Sequence, residues 1–297
     1  MIGATEIVLV AGRLGPVVTA VVAAGAPAAL EGARLAQVGG LIAPVLVGEP
    51  AAIAAAAASI GWDIGGVPVV AAADDAAAAS AAVALVRGGE AQALMKGHLH
   101  TDVLLRAVLD RVAGLRCGRR LTHVFHMSMG GRFPPVLITD AAVNVAPDAA
   151  TMRDIVLNAI DLARLLGDAV PLVALLSATE EAVAAMPSSM AAAALAAELA
   201  VEGAEIAGPL GFDNAVSPEA ARIKGVGGAV AGRAGILVVP NIETGNVLFK
   251  ALVHFQGAVA AGIVLGATVP IMLNSRADPP EARLASAALA RIVAGRK

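Results

Sequence analysis

Short apolar runs rich in β-branched residues alternate with alanine-rich stretches along almost the whole chain. VVTAVV (17–22) precedes APAALEGARLAQ, APVLVG (43–48) precedes EPAAIAAAAASIG, and VPVVAA (67–72) precedes DDAAAASAAVALVRGG. AQALMKG (91–97) then leads into HTDVLLRAVLDRV. The short runs are apolar at nearly every position rather than at every second one. A strand covered on both faces reads this way, and such strands belong to parallel sheets whose crossovers are helices. The rhythm predicts βαβ units, a mainly parallel sheet and an α/β fold.

Residues 117–150 break the rhythm. LTHVFHMSM and PPVLITD read as two successive strands with no helix between them. Asp148 then stands as a cap before AATMRDIVLNAIDLARLLG. The alternation resumes with VPLVALLSA (170–178), EIAG (205–208), GILVVP (235–240), GIVLGA (262–267) and PIMLNS (270–275). A second α/β domain is expected from about residue 140.

Composition narrows the picture. A chain of 297 residues has room for two domains. A formal charge of -3, five Phe, one Trp and no Tyr offer neither a basic run nor a stacking set, so a nucleic-acid partner is not expected. The single Cys117 excludes an intrachain disulfide and fits a reducing compartment. The opening MIGATEIVLVAGRLG lacks a basic start before its apolar stretch, so no signal peptide is read and a cytoplasmic location is expected.

The 58% apolar content raises the question of a membrane span. Residues 251–275 carry no Asp, Glu, Lys or Arg, but His254, Gln256, Gly257, Gly262, Gly266 and Pro270 interrupt them. Two short buried strands explain the stretch better than a spanning helix.

Polar clusters recur where predicted strands end, which is where open parallel sheets collect ligands. LMKGHLHTD presents Lys96, His98, Thr101 and Asp102; LITDAAVN presents Thr139, Asp140 and Asn144. GPLGFDNAVSPEAA presents Asp213, Asn214 and Ser217, and VVPNIETGNVLFK presents Asn241, Glu243, Thr244, Asn246 and Lys250. Last comes IMLNSRADPPEARLAS, an apolar run that breaks into Ser275, Arg276 and Asp278.

Several of these residues have structural occupations. Ser217-Pro218-Glu219 is a sound helix start, and Thr101 or Asp102 can cap the helix that follows them. His98 and His100 lack the partners of a metal motif, and no metal site is expected. His123 and His126 lie in an apolar strand and are read as core or supporting residues. Arg116, Arg119 and Arg120 read as a solvated loop, or as phosphate ligands. KGVGGAVAG (224–232) matches neither a Walker loop nor the dinucleotide fingerprint.

Taken together and in order, ALMKGHLHTDVLLRAVLD, LITDAAVNVAPD, GPLGFDNAVSPEAARIKG, VVPNIETGNVLFKAL and VPIMLNSRAD resemble the phosphate acetyltransferase and phosphate butyryltransferase family. The resemblance runs from about residue 80 to the end. It implies reversible acyl transfer from acyl-CoA to phosphate, giving acyl phosphate and CoA, with CoA as substrate and no tightly bound cofactor or metal. It also implies two α/β/α domains flanking a cleft, an architecture similar to isocitrate and isopropylmalate dehydrogenases, with the C-terminal helix returning to the first domain and the chains paired as homodimers. The boundaries expected on that basis are 1–139 with 268–297, and 140–267.

By motif, Ser275 and Arg276 meet the phosphate and the reacting acyl group. Lys96, Thr101, Thr139, Asp140, Asn144, Asp213, Asn214 and Asn246 are the implied substrate contacts. The chain departs from the family pattern at Ala282, where acetyl-type members carry the carboxylate proposed as base. Asp278 and Glu281 are the nearby acids, yet Asp-Pro-Pro-Glu also reads as a capping box. Asp278 is the expected base and Glu281 the expected cap. Two other readings compete: an acyl-CoA-sensing module without catalysis, and an oxidoreductase on the same architecture.

Overall fold

The computed structural model of the chain describes residues 1–131, 133–273 and 278–295, which form a mixed α/β fold with a large sheet. Two compact units emerge from it. Thr5–Arg119 with Ala261–Lys297 make the N-terminal unit, and Met1–Ala4 with Arg120–Ala260 make the central unit.

In the N-terminal unit, β1 (Val17–Val22), β2 (Ile42–Gly48), β3 (Val69–Ala71), β4 (Ala93–Lys96) and β11 (Ile271–Met272) run parallel. The order is β3-β2-β1-β4-β11-β10, with β10 (Val259–Leu265) antiparallel to β11. Ala20, Val21 and Val22 are fully buried in succession, as expected of a strand covered on both faces. The helices α2 (Pro27–Val38), α3 (Pro50–Ser59), α4 (Asp75–Arg87) and α5 (Thr101–Val108) follow their strands.

The last helix, α11 (Pro280–Ala294), lies within this unit and buries nine of its residues, mostly alanines. Small side chains let it approach its neighbours closely. A Cβ on Gly39 would stand 3.1 Å from Leu284, and Ser286 Oγ accepts from the Gly262 amide at 2.9 Å. Helix α1 (Ala4–Arg13) was not anticipated. It buries only Ile7 and Ala11, one turn apart, within a continuous apolar run IVLVA that reads equally as a strand.

In the central unit the order is β5-β6-β9-β7-β8. The strands β5 (Thr122–Ser128) and β6 (Val136–Thr139) form the antiparallel pair expected from the missing helix. From β6 outward, β9 (Ile236–Val238), β7 (Leu172–Leu176) and β8 (Glu205–Leu210) are parallel. Helices α6 (Ala149–Leu165), α7 (Pro187–Glu198), α8 (Phe212–Val216), α9 (Pro218–Ile223) and α10 (Ile242–Gln256) complete the unit.

The units divide at 4/5, 119/120 and 260/261. Strand β6 pairs with β9, Leu137 beside Ile236 and Thr139 beside Val238, which ties the β5–β6 hairpin to the central unit. Residues 251–273 hold the end of α10 followed by β10 and β11, and among the described residues no helix is long and apolar enough to cross a membrane.

Candidate active site

In the N-terminal unit the chain moves from β1 outward to β2 and β3, then returns to β4 on the other side of β1. Such a reversal opens a crevice at the C-terminal ends of the two central strands, the usual ligand position in an open α/β sheet. The loops 23–26 and 97–100 meet there. The Gly97 amide donates to Val22 O at 2.8 Å and the His98 amide to Ala23 O at 3.0 Å. A Cβ at Gly97 would overlap the carbonyl oxygens of Val22 and Ala23, so the glycine of the KGH motif is required by backbone contact.

Lys96 ends β4 half-buried, with Nζ 3.3 Å from Gly97 O, and Thr101 opens α5. The N-cap of α5 is His100, without a side-chain cap bond, so neither Thr101 nor Asp102 holds the N-cap position expected of them. The Asp102 carboxylate is instead 3.3 Å from Arg106 Nη2 in an exposed i,i+4 pair.

Helix α2, after β1, is likewise headed by Ala26 without a side-chain bond. Its neighbours differ: Glu49 accepts from Ala51 and Ala52 at the head of α3, and Asp74 from Ala77 at the head of α4. A cleft of about 190 Å³ there is lined by Glu49, Asp74 and Asp75 as well as His98, the wrong sign for a phosphate. Unlike α3 and α4, the two helices flanking the crevice start without a cap side chain over their positive ends.

Strand β11 runs parallel to β4, so its C-terminal end lies on this same edge. Ser275 and Arg276 follow it and lie outside the described residues. Asp278 is half-buried just ahead of α11. The helix starts later than the capping-box reading requires. Pro279 takes the N-cap without a side-chain bond, Pro280 stands at N1 and Glu281 falls at N2, not at the N3 position of the reciprocal bond.

The C-terminal ends of β6, β9, β7 and β8 carry the other motifs, all within the central unit. Asp140 is 2% exposed, and its carboxylate accepts four hydrogen bonds. Oδ1 takes the Ala142 and Val143 amides at 2.9 Å each. Oδ2 takes the His123 amide at 3.0 Å and Asn144 Nδ2 at 2.7 Å. Thr139 Oγ1 donates to His123 O at 2.9 Å, and Asn144 Nδ2 also reaches Leu121 O at 2.8 Å.

Behind this loop the histidines of β5 are core, as expected. Burial pushes His123 down to about 4 despite the opposing pull of the Asp140 charge. Burial likewise holds His126 near 4, while its Nε2 stands 3.0 Å from Ile2 O.

A second network joins Asp213 and Asn214 to residues the sequence did not single out as site candidates, Glu180 and Lys224. Lys224 Nζ lies 3.0 Å from Asp213 and 3.7 Å from Glu180, and fully buried Asn214 donates Nδ2 to Glu180 Oε1. The Lys224 contact holds the Asp213 carboxyl below its ordinary range, and Asp213 in turn raises Lys224. Glu180 gave no sequence signal because it stands in a loop with no periodicity, and its partner is 34 residues away. Ser217 caps α9 through the Ala220 amide at 3.2 Å, and Asp148 caps α6 through Thr151 at 2.8 Å, both as read.

Beside this network lies a cleft of about 720 Å³, walled by Leu176, Met186, Phe212, Pro240, Val247 and Leu248, with Ser177, Ser188, Asn241 and Thr244 as polar points. Asn246 is half-buried on α10. Seven of the eight predicted contacts therefore fall into three groups: Lys96 and Thr101 at the crevice of the N-terminal unit, Thr139, Asp140 and Asn144 in one network, and Asp213 and Asn214 in another, with Asn246 apart on α10. Among the described residues no group of three or more His, Cys, Asp or Glu is placed to hold a metal ion.

The phosphate acetyl/butaryl transferase family matches residues 71–291. A phosphate acetyltransferase of Rhizobium meliloti is 47% identical over 285 residues, 95% of this chain and 90% of that protein. A phosphate butyryltransferase of Clostridium acetobutylicum is 39% identical over 273 residues, 90% of each chain. Among solved structures, a branched-chain phosphotransacylase from Enterococcus faecalis V583 superposes with a TM-score of 0.80 at 33% identity, covering 93% of this chain and 99% of that one. The class these matches define is that of the acyltransferases. Within it, the chain belongs to the phosphate acetyl/butaryl transferase family.

Proposed function

We propose that the chain catalyses reversible transfer of a short acyl group between CoA and inorganic phosphate, in the cytoplasm and without a tightly bound cofactor. The observation that carries this reading is the family match across residues 71–291, which takes in each strand-end motif from Lys96 to Asp278. Two α/β/α domains of the isocitrate/isopropylmalate dehydrogenase kind are the proposed frame.

In the proposed mechanism a phosphate oxygen attacks the thioester carbon, the C–O bond forms, and the C–S bond breaks to release CoA as thiolate. Arg276 offers a planar fork of donors to the phosphate, and Ser275 a hydroxyl to the carbonyl oxygen as it gains charge. In the reverse direction the thiol, with a pKa of roughly 8.5 if it behaves as a free cysteine, must lose its proton before attack. Asp278 is the proposed acceptor. Lys96 and the uncapped heads of α2 and α5 supply positive potential at the crevice for the anionic substrates.

Incubating the protein with acetyl-CoA or butyryl-CoA, with and without phosphate, and following free thiol tests the reading. Phosphate-dependent thiol release supports it. Acyl-CoA binding without turnover supports a sensing module instead, and reduction of a nicotinamide nucleotide an oxidoreductase.

A further inference from the structure

The TDAAVN motif invites assignment to the substrate, yet its side chains bond to one another and to nearby backbone. We propose that Asp140 and Asn144 are positioning residues, which lock residues 140–145 into a seat for the N-terminus of α10 and act on acyl transfer only through that seat. The inference rests on the acyl-transfer reading above.

An ionised carboxylate has about four acceptor sites. Those of Asp140 are taken by the amides of His123, Ala142 and Val143 and by Asn144 Nδ2. A buried carboxylate with no acceptor capacity left is also a poor neighbour for an anionic phosphate. The two Nδ2 hydrogens of Asn144 go to Asp140 Oδ2 and Leu121 O. What these bonds fix is backbone, and the backbone they fix meets α10. Val145 O accepts from the Ile242 amide at 3.0 Å. Fully buried Ala141 lies so close to Gly245 that a Cβ there would stand 2.8 Å from the alanine's own. The glycine of the ETGN motif is therefore explained by the TDAAVN loop, and the two motifs form one latch. The first turn of α10 carries Asn241 and Thr244 on the wall of the 720 Å³ cleft, so a loosened loop shifts that wall.

Asp140→Asn and Asn144→Asp test the latch by steady-state kinetics and thermal melting. Asp140→Asn turns an amide donor toward the His123 amide and the Asn144 side chain, leaving buried donors unmatched. The expected result is a lower Tm and kcat reduced at least ~10-fold, with KM for acyl-CoA and for phosphate within about twofold, as for misplacement rather than lost contact. Asn144→Asp puts an acceptor where Asp140 Oδ2 and Leu121 O each received a hydrogen, so the same loss is expected.

A tenfold rise in either KM with kcat and Tm unchanged would make these residues ligands and overturn the proposal. So would kinetics and melting unaltered in both variants. If the parent itself releases no thiol, the acyl-transfer reading has failed. The latch then stands or falls on the melting of Asn144→Asp, expected below the parent's and needing no activity; should Asp140→Asn not fold, the same variant decides.

Discussion

Arg276 is the residue on which the proposed chemistry turns. If its guanidinium stabilises the phosphate or the developing oxyanion, Arg276→Ala should raise the barrier on the order of 3 kcal/mol, about 100-fold in rate. Arg276→Lys should also be poor, because a point charge does not reproduce a bidentate fork. Thiol-release assays of the two variants check this, and rates within a few-fold of the parent would remove Arg276 from the chemistry. The carboxylate question is settled by a matched pair. Asp278→Asn is expected to lower turnover about 100-fold with little change in melting, as for a lost general base. Glu281→Gln, at the N2 position, should leave turnover within about twofold and cost only the few tenths of a kcal/mol of a first-turn charge. The reverse pattern would transfer the base to Glu281.

At the scale of single elements, β5 makes the stability of the central unit depend on acid. His123 and His126 have pKa values near 4 in the folded chain against an ordinary 6.5, and the Nδ1 atoms of both are buried without a hydrogen-bond partner among the described residues. Their folded values are depressed, so this contribution is fully present above about pH 6.5. It is lost as the pH falls toward 4, because the unfolded chain takes up the protons first. Each histidine accounts for about 3 kcal/mol across that interval. Denaturant midpoints at pH 7.5, 6 and 5 should therefore fall steeply in the parent, and His123→Phe should flatten the slope by up to one proton. An unchanged slope in that variant would show that His123 is not the titrating group.

The β–α alternation was legible because parallel strands covered on both faces are apolar throughout, and VVTAVV at β1 carries that signature unmistakably. Caps at Asp148 and Ser217 were legible for the same kind of reason, since one local hydrogen bond defines them. The caps at Thr101 or Asp102 and the box at Asp278 were misread. Where a helix starts depends on the angle at which the preceding strand delivers the chain, and sequence spacing does not contain that angle.

At the scale of the whole molecule, α10 bears on assembly. Gly245 is its only buried residue, while Val247 is 69% and Phe255 85% exposed. Large apolar side chains left in water on a helix otherwise joined to the core favour a partner surface. We propose a twofold homodimer that uses this face, with Glu243 near one end of the helix and Lys250 a turn or two further on, suited to antiparallel pairing. Light scattering should give a dimer at micromolar concentration, and Val247→Glu or Phe255→Glu should shift it toward monomer. A monomeric parent, or a dimer indifferent to both substitutions, would exclude this face.

What the amino-acid sequence determined by itself was the β–α alternation and the chemical family. Alternating apolar runs are a local property of the chain, and five motifs in order identify the family without any knowledge of their geometry. Only the tertiary structure showed which groups Asp140, Asn144 and Asn214 bond to within the chain. Asp140 and Asn144, like Asp213 and Asn214, are the residue types a phosphate or thioester site would use, and in one dimension they look like ligands. In three dimensions the carboxylate of Asp140 meets a backbone amide 17 residues away and Asn214 meets a glutamate 34 residues away. A hydrogen-bonding group carries the same capacity wherever it stands, and folding determines what is near enough to consume it.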